Sequence, residues 1–314
     1  MRTIHNGQRK KQQPDSGTDG GTVRGVGRSS GQGQQLSRSL SEELDTTSQD
    51  QRGLLVPVAN PEAVAGLLAI AFAAKEPNDP PLRVLALVDR PPSAPAEMPG
   101  GEKGTAPPTA ALLAAVRYAH AKGVTIGAQV SWSDDLALDI ITVAQEARVA
   151  WILIGYHRAA SGSDTMGGVV REVFAKGEVL PINVGVFIQG TDRPIERVIA
   201  AVDSSPDGRA SLALGVRIAQ GNKCKLRALL LTKRMPNVED ALLDMVRDVR
   251  ANMGEGLHAD VLTERSLRQL LKQAPGRLLI VGRKFADEVG LPLDEVPGSQ
   301  RCVIVVQGAD SNPS

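Results

Sequence analysis

The chain has 314 residues with two cysteines, Cys224 and Cys302, and a formal net charge of +1. That length suits two ordinary domains, the near-neutral charge gives no electrostatic case for nucleic acid, and two cysteines imply a reducing compartment rather than a disulfide framework. Aromatic residues make up only 3% of the chain, too few for the stacking platforms of single-strand nucleic-acid binders, so the partners expected exclude nucleic acid.

Residues 1–51 are rich in Gly, Gln, Ser and Thr and poor in large apolar side chains, which predicts a disordered tail. No apolar leader opens the sequence, and the longest apolar run, about Ala63 to Ala74, is too short to span a bilayer. A cytoplasmic protein that does not itself cross the membrane is expected.

From Leu54 the pattern changes. LLVPVA (54–59) reads as a strand, PEAVAGLLAIAFAAK (61–75) as a proline-started helix, and LRVLALV (82–88) as a second strand. A Pro/Gly-rich loop leads to a helix over 108–123 ending on Gly123, a strand over 124–130 and a helix to about 147. WILIG (151–155) is the fourth strand, GGVVREVFAKG (167–177) a helix and INVGVFI (182–188) the fifth strand. After QGTDRP (189–194) the order restarts: strand 197–202, loop and helix 203–221, strand 225–231, helix 238–254, strand 257–262, helix 266–274, strand 277–282 and strand 302–306, with no clear helix between the last two strands. Strands alternating with helices imply βαβ units and a parallel sheet covered on both faces. The restart implies two homologous domains, 52–189 and 195–308, the second shortened after its fourth strand, with 309–314 as a tail.

Each half resembles a universal stress protein domain. The residues that carry the resemblance are LLVPVANPE (54–62) and VIAAVDSSPDGRASLALGVRIAQ (198–220), with the strand ends LIGYHR (153–158) and IVGRK (280–284). The first half is similar to the stress-protein-like cytoplasmic tails of cation/proton antiporters. The resemblance implies two tandem open five-stranded parallel sheets, doubly wound with helices on both faces, which pair through their fifth strands within the chain or in a homodimer. It also implies binding of ATP or a related adenine nucleotide by a sensor or regulator that is not an enzyme, in contact with a membrane transporter.

In a doubly wound sheet the ligand sits beyond the carboxyl ends of the strands, where the strand order reverses. The loops after the first and fourth strands of each half are therefore the candidate sites. The family's phosphate motif, G-x-x-G-x9-G-S/T, is degenerate here. Gly155 and Gly168 match its first and third glycines, but Arg158 and Val169 stand in the other two places. Arg158 is either a direct phosphate contact or a solvated arginine. Asn60 is either a nucleoside partner or a turn residue before a helix. In the second half, Asp203 and Ser205 offer a polar first loop or a helix cap. Gly282 is kept there, but Asp287, Glu288, Asp294 and Glu295 follow it. The four histidines are scattered and no nucleophile has an evident base, so neither a metal site nor a catalytic centre is expected. Three readings follow: a regulatory nucleotide binder, an interaction module with degenerate pockets, and a nucleotide-processing enzyme on the same scaffold.

Overall fold

A computed structural model of the chain describes residues 53–90, 109–156, 167–230, 244, 246–251, 257–261, 277–297 and 299–309. The strands are β1 (Leu54–Pro57), β2 (Leu82–Asp89), β3 (Ile126–Ser133), β4 (Trp151–Gly155), β5 (Asn183–Ile188), β6 (Arg197–Val202), β7 (Lys225–Leu230), β8 (Leu257–Val261), β9 (Arg277–Gly282) and β10 (Arg301–Gln307). The helices are α1 (Val64–Ala74), α2 (Ala110–Ala121), α3 (Leu136–Glu146), α4 (Gly168–Gly177), α5 (Pro206–Gly221) and the short α6 (Arg283–Glu288). Residues 246–251 are also helical, whereas the rest of the helix expected over 238–254, and all of that over 266–274, lie outside the described residues.

The strands form one ten-stranded sheet in the order β3-β2-β1-β4-β5-β10-β9-β6-β7-β8. The two five-stranded sheets read from the sequence are thus one continuous sheet. The cause is the pairing of β10 with β5, antiparallel, with Ile304 opposite Phe187 and Val305 opposite Val186. All other pairings are parallel. Each half keeps its own doubly wound order, and the strands of the two halves run in opposite directions.

Strand residues alternate between two apolar layers, as the period of two of an extended chain requires. Leu54, Val56, Trp151, Val198, Leu278 and Ile304 face the layer that holds α1, α2 and α5. Leu55, Ile152, Val186, Ile199, Leu279 and Val305 face the layer that holds α3, α4 and α6. Helix α1 is apolar nearly all round because it is buried between the sheet and α5. Gly221 permits the close approach of α5: a Cβ there would lie on the backbone of Ala73.

Two polar clusters tie the halves together. Arg217 of α5 pairs with Glu76 (Nε to Oε1, 2.8 Å) and with the buried Asp79 (Nη1 to Oδ2, 3.4 Å) in the turn after α1. On the opposite face, Gln307 Nε2 donates to the carbonyl of Phe174 at 2.8 Å, and Gln307 Oε1 accepts from Arg283 Nη1 at 2.7 Å. The Arg283 guanidinium lies 4.9 Å from the centroid of the Phe174 ring.

The stretch between β9 and β10 also departs from expectation, since it contains α6 and a 3-10 turn over Leu293–Glu295. The side chain that closes the start of α6 comes from α5, so no local sequence signal marks it.

Candidate functional site

In the first half, β1 and β4 are neighbours, and the order reverses between them. A cavity of about 350 Å³ opens at their carboxyl ends. It falls within the range of small-molecule sites, about 300–1,000 Å³. Its walls are apolar: Val58 and Val64 from the first loop and α1, Leu85 and Leu87 from β2, Ile140 from α3 and Ile154 from β4. Asn60 is the one polar side chain among its described lining residues, and none of them is charged.

The amino end of α4 closes one side of this cavity through Gly167 and Gly168. Gly167 has φ 77, the left-handed region that favours glycine, and no side chain caps the helix. Its first backbone N–H groups therefore lack the intrahelical acceptors that later turns have. A Cβ on Gly168 would meet no atom within 4 Å, and one on Gly155 would make ordinary contact with Leu67 Cδ2 at 3.5 Å. Neither glycine is required by packing. Asn60 serves as a turn residue, its Oδ1 accepting from Glu62 N–H at 3.0 Å, while its side chain still borders the cavity.

In the second half, the described residues at the corresponding strand ends bond to one another. Asp203 Oδ1 accepts from Ser205 N–H at 3.0 Å and from the Ser205 hydroxyl. Ser205 Oγ in turn accepts from Gly208 N–H at 3.1 Å and caps α5. Both residues are thereby engaged in starting the helix. Asp207, 5% exposed, reaches beyond the carboxyl ends of β9 and β10. Its Oδ2 accepts from Lys284 N–H at 3.1 Å, and its Oδ1 from Gly308 N–H at 2.9 Å. Gly282 is needed for this approach, because a Cβ there would stand 2.8 Å from the Asp207 Cβ. A small polar cleft bordered by Glu178, Arg283, Lys284 and Asp287 lies beside it.

Of the residues singled out from sequence, Asn60, Gly155 and Gly168 converge on the first cavity. Asp203 and Ser205 meet in the α5 cap, Gly282 packs on Asp207, and Arg158 lies outside the described residues. Of the acidic residues after Gly282, Asp287 borders the polar cleft, whereas Glu295 acts on Arg301 at the far end of β10. Sequence reasoning missed Asp207. Its neighbours Pro206 and Gly208 mark a helix start, but its partners lie in α6 and after β10. Counting on from the matched strand pairs, Leu54 opposite Trp151 and Val198 opposite Leu278, the first-half counterpart of Asp207 is Ala63, which lines the open cavity. Among the described residues no cluster of His, Cys, Asp and Glu suited to a metal is present, and no helix is long and apolar enough to cross a membrane. Cys302 is buried, and burial pushes its thiol up from its ordinary pKa.

No family model matches the chain, and no curated protein matches it in sequence. Solved structures do match. A universal stress protein from Archaeoglobus fulgidus superposes with TM-score 0.50 at 15% identity, covering 83% of this chain and 98% of its own. The cytoplasmic domain of a prokaryotic cation chloride cotransporter superposes with TM-score 0.51 at 14% identity, covering 83% and 96%. At these identities the likeness is one of fold: the chain has the α/β architecture of universal stress proteins, an architecture that the cotransporter's cytoplasmic domain shares.

Proposed function

We propose that the chain is a non-catalytic, cytoplasmic regulatory module of two tandem universal-stress-like domains, 52–189 and 195–308, in which the first domain takes an adenine nucleotide and the second takes none. One observation carries this reading: an open apolar cavity lies at the β1/β4 reversal with the uncapped amino end of α4 on its rim, while at the matching position of the second half the buried Asp207 binds backbone N–H groups beyond β9 and β10. The apolar walls suit a base, and helix N–H groups suit phosphate. Gly155 and Gly168 contribute open backbone, and Asn60 a polar edge. In the second domain Asp203 and Ser205 are engaged in the α5 cap, and Gly282 leaves room for Asp207. The fold shared with a transporter's cytoplasmic domain supports a role beside a membrane transporter.

Isothermal titration of the full chain with ATP, ADP and AMP tests the reading. One site per chain is expected. A Cβ at Gly168 meets no atom within 4 Å, and Gly168→Glu adds a carboxylate on the phosphate side of the cavity, so affinity is expected to fall about tenfold or more by charge repulsion. Absence of binding by all three nucleotides at millimolar concentration removes the nucleotide and leaves an interaction module, which the apolar lining and Val169 in the hydroxyl position favour. ATP turnover that is lost on substituting cavity residues makes the protein an enzyme and overturns the proposal.

A further inference from the structure

The second half carries a row of cations with no counterpart in the first. Strand register places Arg301 opposite Arg277, Arg277 opposite Arg197, and Arg197 opposite Lys225. Each opens its strand, so four adjacent strands begin with a positive charge. The next residues, Cys302, Leu278, Val198 and Leu226, all face the α5 layer. The four cations therefore share the opposite face, since side chains alternate along a strand. With neighbouring strands about 4.8 Å apart, the row is roughly 14 Å long. The same register count in the first half meets Ile182, Ala150, Gly53 and Pro81, none of them charged.

Glu295 offsets part of the Arg301 charge, whereas the charges acting on Arg277 are of its own sign. Arg197, Lys225, Arg277 and Arg301 make no ion pair among the described residues, and Arg301 Nε is buried with no hydrogen-bond partner. Burial first, and then the like charges of Arg197 and Arg227, push the Arg277 guanidinium below its ordinary value. A fold gains nothing from gathering like charges at one sheet edge. Arg197 and Lys225 are exposed, and Arg277 and Arg301 partly so.

We propose that this row docks an acidic segment of a partner protein. The four positions lie in line and do not converge, so a single small anion would engage only part of the row. The exposed large apolar residues, Leu113, Val116, Leu138, Val169 and Val179, belong to the first half. Among the described residues, the strands that carry the row thus supply no exposed large apolar anchor of their own, as insertion into a lipid surface would favour, whereas a polar carboxylate-bearing segment needs none. Because β5 and β10 are antiparallel, the row lies along the same edge of the sheet as the first-half cavity. The inference does not depend on what that cavity binds.

Fluorescence anisotropy of a labelled oligoglutamate peptide, titrated with the full chain at low salt, tests it. Saturable binding is expected, weakening as salt rises. Arg197→Gln combined with Arg277→Gln weakens it about tenfold, while Arg83→Gln on the same face of the first half leaves it unchanged. Thermal unfolding by circular dichroism checks the fold of each variant. Should the double variant fail to fold, Lys225→Gln at its exposed strand start carries the test, with about a threefold loss. No saturable binding, an equal loss with Arg83→Gln, or tighter binding to inorganic polyphosphate or to vesicles of anionic lipid than to the peptide would each overturn the proposal.

Discussion

Replacing Asp207 by Ala removes a buried carboxylate that accepts two backbone N–H groups, from Lys284 at 3.1 Å and from Gly308 at 2.9 Å. Hydrogen bonds to a charged acceptor contribute about 1.5–3 kcal/mol each, but both N–H groups are only partly buried and regain some water, and the carboxylate no longer pays for its own burial. The net loss expected is about 2–3 kcal/mol. With a urea slope near 2–3 kcal/mol/M, the unfolding midpoint falls by about 1 M. Asp207→Asn keeps one acceptor but turns an amide donor toward the other N–H, so its loss is expected to be smaller, about 1–2 kcal/mol. Equilibrium urea unfolding followed by circular dichroism measures both. An Asp207→Ala variant within about 0.5 kcal/mol of wild type would refute the view that this carboxylate closes the second half.

Arg217→Ala leaves the Asp79 carboxylate, 4% exposed at its side chain, with the Glu76 N–H as its remaining side-chain partner. A loss of about 1–3 kcal/mol is expected, and a double-mutant cycle with Asp79→Ala should be non-additive; additivity would mean that the two residues do not couple the halves. Asp135 caps α3 through Leu138 N–H at 2.9 Å, a bond that, with the nearby Lys176, holds its carboxyl below the ordinary value. Because the folded pKa is depressed, its contribution is full above the unfolded value near 3.9 and is lost as pH falls through the folded one, so the stability difference between wild type and Asp135→Asn shrinks in acid. A difference that stays constant through the acid range would contradict this. Ala63→Asp gives the first half the residue that closes the second; a carboxylate about 6 Å from a bound phosphate, at an effective dielectric of about 20, costs roughly 3 kcal/mol, so ATP affinity measured by calorimetry falls about a hundredfold. Unchanged affinity would place the ligand elsewhere.

The parallel strands were legible because burial on both faces writes each as a continuous apolar run, as in WILIG and RLLIVG, whose observed bounds match those read from sequence. Helix α1 was legible as a helix, but its apolar circumference made sense only once α5 was found packed on it. The merging of two sheets into one was implied by the resemblance but not by periodicity, because an apolar fifth strand reads alike whether its outer edge is paired or free. Three features were not legible for one shared reason. The start of α6, the closure by Asp207 and the cation row each depend on residues distant in sequence, and Arg197, Lys225, Arg277 and Arg301 become a row only through register. Asn60 and Ser205 were legible as ambiguous, and the structure gives Asn60 a turn role on the cavity wall and Ser205 a helix-cap role.

The antiparallel joint between β5 and β10 has a consequence for how the halves divide their labour. It turns the second half end for end relative to the first while keeping the same helix layers on the same faces. The carboxyl ends of β1 and β4 therefore lie at one edge of the sheet, and those of β6 and β9 at the other. Two such sites cannot share one ligand, so closing one places no demand on the other. That independence lets a single position line an open cavity as Ala63 in one half and bind backbone N–H groups as Asp207 in its counterpart. It also puts the open cavity on the edge where the amino ends of the second-half strands emerge. There the second half presents Arg301, Arg277, Arg197 and Lys225 alongside the pocket of the first.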